Sequence, residues 1–200
     1  VAGNAAKVFE AMGAGALDAI NTPILGMDGS GAGHAALLHK IDMVGRLIQA
    51  PKARSAPPVQ LEFQSPCLVP GRCPPLIAIG ASTGGPAALK TLLAPLPADL
   101  PAAIVIVQHV DEEFARSFVE WLGEQTALAV QLAQPGDRPK PGHVLVAGRE
   151  DHLVLTADGS LDYTPEPADY AYRPSVNVFF ESMARYWRGH SVGVLLTGMG

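Results

Sequence analysis

The sequence predicts an α/β protein: a doubly wound, mostly parallel, Rossmann-like sheet with a small antiparallel elaboration. Three observations predict it. The runs Leu76-Ile77-Ala78-Ile79 and Ala103-Ile104-Val105-Ile106-Val107 are apolar throughout, as strands covered on both faces must be. Helical periodicity fills the intervals behind them, which makes a βαβ unit. Asp158-Gly159 stands between two short β-prone segments, the residue pair of a tight hairpin.

The bulk composition narrows the class. The 200 residues are 48% hydrophobic and 16% charged, which describes a soluble globular chain rather than a disordered one. A net charge of −5 without a basic patch argues against nucleic acid as the main partner. No apolar run approaches the roughly 20 residues of a membrane helix, and no signal peptide opens the chain. Cys67 and Cys73 lie in a Pro-rich stretch; they could close a small loop, but two free thiols are the favoured reading, and a zinc site would need more ligands with tighter spacing. The expected compartment is the cytoplasm, with no membrane insertion.

Taken in order, Ala5–Met12 carries a helical pattern that Gly13-Ala14-Gly15-Ala16 breaks. Leu17–Ile20 is read as a short strand ended by Pro23, and a Gly-rich loop from Gly26 to Gly33 leads to a second helix. Leu37, Leu38, Ile41, Val44 and Ile48 form an amphipathic stripe on it. Two helices and one strand in about fifty residues cannot bury a core of their own. Residues 1–50 therefore read as the tail of another domain. From 51 to 75 periodicity disappears, and seven prolines make a semi-extended linker. Val1 opens inside a helical pattern and Gly200 ends in a loop, so the chain reads as a window on a longer one.

The second domain spans 76–200. Its first strand, 76–79, runs into Gly80-Ala81-Ser82-Thr83-Gly84-Gly85-Pro86, and a helix continues to about Leu93. The strand 103–107 follows, then a helix from about Glu112 to Glu124 with Phe114, Phe118, Trp121 and Leu122 on one side. The region from Ala127 to Thr164 is assigned to the elaboration, with β segments at 130–132, 143–147 and 152–156. Ser175 is expected to cap a helix whose buried stripe is Val176, Phe179, Phe180, Met183, Ala184 and Trp187, with Gly189 as its terminator. Ser191–Leu196 is read as a further buried strand, leading into Thr197-Gly198-Met199-Gly200.

A serine at a glycine-rich strand-to-helix turn is where a hydrolase exposes a nucleophile, and the helix start offers N–H groups to a developing oxyanion. Ligands of open α/β sheets bind beyond the carboxyl ends of the strands. Three strands deliver informative residues there: Ser82, Gln108-His109 and Thr197–Gly200. Neighbouring parallel strands lie about 4.8 Å apart. That spacing allows an imidazole just past one strand to take the proton of a serine just past the next. His34, His39, His143 and His190 sit elsewhere by pattern, and a structural role is expected for His152. Asp111, Asp137 and Asp151 are candidate orienting carboxylates by exposure alone, and none has positional support.

These residues resemble a known family, the chemotaxis-type protein-glutamate methylesterases (CheB). Ile77–Pro86 is similar to that family's nucleophile motif and Val107-Gln108-His109 to its histidine motif. Gly142–Ala147 with His152-Leu153, Arg173-Pro174-Ser175-Val176-Asn177 and Thr197-Gly198-Met199-Gly200 resemble three more, in order across residues 76–200. The resemblance implies Ser82 as nucleophile and His109 as general base, with Thr83 and Met199 lining the oxyanion and substrate region. It places the third member, an aspartate, just beyond Gly200.

It also implies no metal or organic cofactor, and methylated chemoreceptor cytoplasmic helices as partners. Glutamine deamidation comes into range, since some relatives carry it out. Gly13–Pro23 resembles the last strand of a phospho-receiver domain, which implies a histidine kinase as a further partner. Thr22, however, stands where receivers usually place a lysine, so phosphorylation control is not expected in its usual form. Thr22 and Val110-Asp111 resemble the Wsp-type branch. The alternative from another class is a non-catalytic regulatory binding module with a decayed hydrolase site. Intact Ser82 and His109 weigh against it.

Overall fold

Alternation decides which way each strand faces, and here it splits the apolar residues into two cores. The computed structural model describes residues 5–16, 19, 20, 37, 38, 40–42, 44, 45, 73–170 and 173–197. Its elements are α1 (Ala5–Gly13), β1 (Leu76–Ala81), α2 (Gly85–Leu93), β2 (Ala103–Gln108), α3 (Glu112–Gly123), β3 (Ala129–Leu132), β4 (His143–Val146), β5 (His152–Leu155), β6 (Leu161–Thr164), α4 (Val176–Tyr186) and β7 (Ser191–Leu195). The described strands of the main sheet run β3-β4-β2-β1-β7, every pairing parallel, and β5 and β6 form a separate antiparallel pair. The fold is the expected α/β architecture.

On one face, Ile79 and Ala81 of β1, Ile104 and Ile106 of β2, and Val144 and Val146 of β4 meet the helices α2 and α3. On the other, Leu76, Ala78, Ala103, Val105, Val107 and Leu145 meet Phe179 and Met183 of α4 and Leu153, Leu155 and Leu161 of the β5–β6 hairpin. The one-residue offset between the two sets is the period of a strand. Phe114, Phe118, Trp121 and Leu122 are the buried side of α3, as their spacing predicts.

The N-terminal helix is part of the first core. Phe9 and Met12 of α1 are buried there, and the Phe9 ring lies edge-on to Phe118 at 5.2 Å and 5.4 Å from Trp121. Burying a Phe or Met side chain contributes roughly 1.5–3 kcal/mol, so α1 is held mainly by these two residues. Residues 37, 38, 40–42, 44 and 45 are helical, but Leu38 and Ile41 of the predicted stripe are exposed. Lys40 from this segment donates to Ala19 O at 2.6 Å and pairs with Asp111 Oδ2 at 2.9 Å.

Several expectations need correction. The segments at 130–132 and 143–146 are not in the elaboration: as β3 and β4 they extend the parallel sheet beyond β2. Their shortness disguised them, since four residues carry little periodicity. Ala19 and Ile20 are not in a strand, while Leu17 and Asp18 lie outside the described residues. Ser175 occupies the N-cap of α4, but its side chain makes no cap bond. That helix ends at Tyr186, before Gly189, because Trp187 turns to extended backbone. Ala184 is exposed rather than part of a buried stripe.

β7 is paired only with β1 among the described strands, and Val192 and Leu195 are exposed. The apolar pattern of this strand predicts burial, but its exposure depends on what covers it. No helix among the described residues is long and apolar enough to cross a membrane. Cys73 is a free, exposed thiol, and Cys67 lies outside the described residues.

Candidate active site

The register of the central strands brings the predicted nucleophile and base together. Ala81 of β1 pairs with Gln108 of β2, so Ser82 and His109 are the next residue on each of two adjacent parallel strands. The His109 N–H donates to Ala81 O at 3.4 Å. On the other side of β1, Gly80 pairs with Leu195 and the Leu196 N–H donates to Gly80 O at 2.9 Å. Continuing that register sets Thr197 opposite Ser82. The chain winds from β1 through α2 to β2 on one side and returns through α4 to β7 on the other. Strand order therefore reverses at β1, and the carboxyl end of such a strand is where α/β folds bind ligands.

Ser82 is fixed through both of its backbone groups. Its N–H donates to Thr197 Oγ1 at 2.8 Å. Its carbonyl accepts from the Gly85 N–H at 2.8 Å and from Gln108 Nε2 at 3.1 Å. With N and C=O both held, the direction of the Cα–Cβ bond is set by the fold before any ligand arrives. The tight turn needs Gly84, whose φ of 76° is left-handed, and α2 begins immediately after it. In its first turn the Gly85 N–H is taken up by Ser82 O and the Ala88 N–H by Gly84 O, and Pro86 has none, so the Ala87 N–H is the donor left without an intrahelical partner. Thr83, between Ser82 and Gly84, has its Oγ1 buried and without a hydrogen-bond partner among the described residues. Met199 lies outside the described residues.

The remaining candidates separate cleanly. Asp111 is the N-cap of α3: its Oδ1 accepts from the Glu113 N–H at 3.2 Å, and its Oδ2 faces Lys40. Asp137 accepts from the Gln134 N–H at 2.8 Å in the loop leaving β3, a local turn bond. Asp151 immediately precedes β5. His143 begins β4 with Nδ1 2.9 Å from Pro141 O, and His190 precedes β7, so both lie at the amino ends of their strands. His34 and His39 lie outside the described residues.

His152 has the structural role expected of it. It is fully buried, and its Nδ1 accepts from the Ser175 N–H at 3.0 Å. The ring proton is therefore on Nε2, which donates to Pro167 O at 3.1 Å. This neutral imidazole ties the hairpin to the start of α4. Tyr163 does similar work nearby, accepting from the Gly148 N–H and donating to Ala133 O. Burial raises its phenol pKa, which keeps that donor protonated. Among the described residues no group of three His, Cys, Asp or Glu side chains could hold a metal ion.

Two residues of the site had no role in the sequence reading beyond motif membership: Gln108 and Thr197. For Gln108 a signal was present, since it is the one polar side chain at the end of an otherwise apolar strand and is only 1% exposed. Thr197 offered none, because its bond joins residues 115 apart in the chain.

Comparison with known proteins gives the family. The family model for the CheB methylesterase matches residues 77–200. The chain is 52% identical over 200 residues to a Burkholderia orbicola (strain AU 1054) protein named protein-glutamate methylesterase/protein-glutamine glutaminase 2. All of this chain and 58% of that protein are covered. It is 53% identical over 197 residues to a Pseudomonas aeruginosa (strain PAO1) protein with the same name and the number 3, covering 98% of this chain and 57% of that one. The chain thus spans little more than half the length of these relatives. Among solved structures, the crystal structure of the Thermotoga maritima CheB methylesterase catalytic domain superposes with a TM-score of 0.57 at 34% identity. That match covers 64% of this chain and 69% of that one. The family match takes in the sheet from Ile77 onward, more than half of the sequence, and the chain belongs to the CheB methylesterase family.

Proposed function

We propose that the protein carrying this chain is a serine carboxylic-ester hydrolase that removes methyl groups from γ-glutamyl methyl esters on chemoreceptor cytoplasmic helices. The observation that carries the reading is the register: Ser82 and His109 follow directly on the paired residues Ala81 and Gln108, with the Ser82 backbone held at both ends. The relatives' printed names supply the substrate bond.

In the proposed cycle, Ser82 Oγ attacks the ester carbonyl while the His109 imidazole takes its proton. Negative charge moves to the carbonyl oxygen, where Thr83, Met199 and the start of α2 stabilise it. Collapse of the tetrahedral adduct breaks the ester C–O bond, and the imidazolium returns the proton to the leaving group as methanol. Water then attacks the acyl-serine, giving up a proton to His109, and glutamate leaves as Ser82 recovers its hydrogen. The same steps with ammonia as leaving group would deamidate glutamine, a second activity printed in the relatives' names.

The reading extends to organisation. Residues 1–50 are taken as the C-terminal part of a receiver-like domain served by a histidine kinase, 51–75 as a linker and 76–200 as catalytic, in a cytoplasmic protein. The test is methanol release from a methyl-esterified receptor helix. Ser82→Ala is expected to lower kcat on the order of 10⁶-fold if nucleophile and base act as a unit. Retention of substantial turnover would overturn the assignment.

A further inference from the structure

Gln108 is a buried amide at the junction of the nucleophile and base segments, and neither chemical role uses it. It is the last residue of β2, on the same strand face as Ile104 and Ile106, and its side chain is 1% exposed. From there it reaches over the end of β1. Its Nε2 donates to Ser82 O at 3.1 Å and to His109 O at 3.2 Å. One NH₂ group thus holds the carbonyl of the predicted nucleophile and the carbonyl of the predicted base at once. The orientation of the amide is not ambiguous, because two carbonyl oxygens require a donor and only the nitrogen supplies one.

Two further observations show how tightly this amide is built in. Gly85 is the residue that makes room for it: an ideal Cβ at position 85 would overlap Gln108 Oε1. The same Gly85 N–H shares Ser82 O with Gln108, so the carbonyl is held from two directions. Gln108 Oε1 itself is buried with no hydrogen-bond partner among the described residues. An apolar side chain of equal length would fill the site without burying that oxygen. What the amide adds over such a side chain is the pair of N–H bonds to residues 82 and 109.

We infer that Gln108 is a positioning residue, a clamp that fixes Ser82 relative to His109 by bonding to the backbone carbonyl of each. The inference rests on the esterase reading for its catalytic consequence and on geometry alone for the clamp. Displacing a reacting group by about 1 Å costs up to about a hundredfold in rate. Loss of the clamp therefore acts on kcat, while the substrate surface and KM are left in place.

The test uses Gln108→Met, which keeps the length and removes both donors, and Gly85→Ala, which keeps Gln108 but displaces its amide. Steady-state methanol release is measured on each with native-state amide exchange and the thermal midpoint. Both variants are expected to lower kcat roughly tenfold to a hundredfold with KM within about twofold of wild type. Exchange at Ser82, Gly85 and His109 rises about tenfold or more, while the Ile79 and Ile106 amides of the strand ladder keep their protection.

Unchanged exchange at those three positions in both variants would overturn the clamp, as would a kcat equal to wild type. A uniform rise in exchange with a falling thermal midpoint, or failure of both variants to fold, would make Gln108 a support of the whole fold and also overturn it. Selective exchange changes in a protein whose wild type releases no methanol would sustain the clamp and sink the esterase reading. The two failures are therefore distinguishable.

Discussion

At residues 82–85 and at residues 156–160 the chain turns with a hydroxyl-bearing residue and a glycine, yet the two turns are held by opposite means. The hairpin turn is closed mainly by its own residues, with Arg138 as the outside group that donates to Asp158 O and Oδ2. The Thr156 N–H donates to Ser160 O at 2.8 Å, the Gly159 N–H reaches Thr156 O at 3.0 Å, and the Asp158 carboxylate accepts from the hydroxyls of Thr156 and Ser160. Those hydroxyls, Thr156 first, hold its carboxyl well below the usual carboxylate range, with Arg138 adding a smaller pull. The Ser82 turn has one local bond, from Gly85, and two that come from distant parts of the chain, Thr197 and Gln108. A turn that only has to reverse the chain can be written in five residues. A turn that has to aim a side chain at a neighbouring strand is fixed by groups on the strands to either side of it.

Breaking each turn is therefore expected to produce different losses. Ser82→Ala removes the reacting group and gives the largest effect, the near-complete loss of turnover described above. Thr197→Val comes next. It takes the acceptor from the Ser82 N–H while keeping the side chain's shape, and kcat is expected to fall about tenfold to a hundredfold, with stability lowered by about 1–3 kcal/mol. A kcat change no larger than the stability change accounts for would show that this bond does not aim Ser82. Gly159→Ala is the smallest. At a φ of 81° any Cβ is strained, so denaturant unfolding should show a loss of about 1–2 kcal/mol, with kcat and KM at wild-type values. A slowed enzyme here would erase the distinction between the two turns.

The same contrast explains what was legible in the sequence. The hairpin could be read because Asp158-Gly159 carries its own instructions. The two strands that lead to Ser82 and His109 could be read because wholly apolar runs of four and five residues, one of them followed by a glycine-rich turn, are local signals. β3 and β4 were misplaced because a four-residue strand acquires its partner from the sheet, through the register to β2, and not from its own pattern. The exposure of Val192 and Leu195 likewise depends on neighbours rather than on composition. Phe9 shows the same limit from the other side. Its helix was legible, but its burial against Phe118 and Trp121 joins segments more than a hundred residues apart.

The central claim is that Ser82 is a nucleophile aimed and activated by its surroundings, and covalent trapping tests it most directly. The protein carrying this sequence is treated with a fluorophosphonate ester, digested and examined by mass spectrometry. The account predicts a single adduct on the peptide containing Ser82, abolished in Ser82→Ala, formed far more slowly in His109→Ala and about tenfold or more slowly in Thr197→Val. Formation in Gly159→Ala should keep the wild-type rate. An unmodified Ser82, or an adduct whose rate is indifferent to His109 and Thr197, would contradict it.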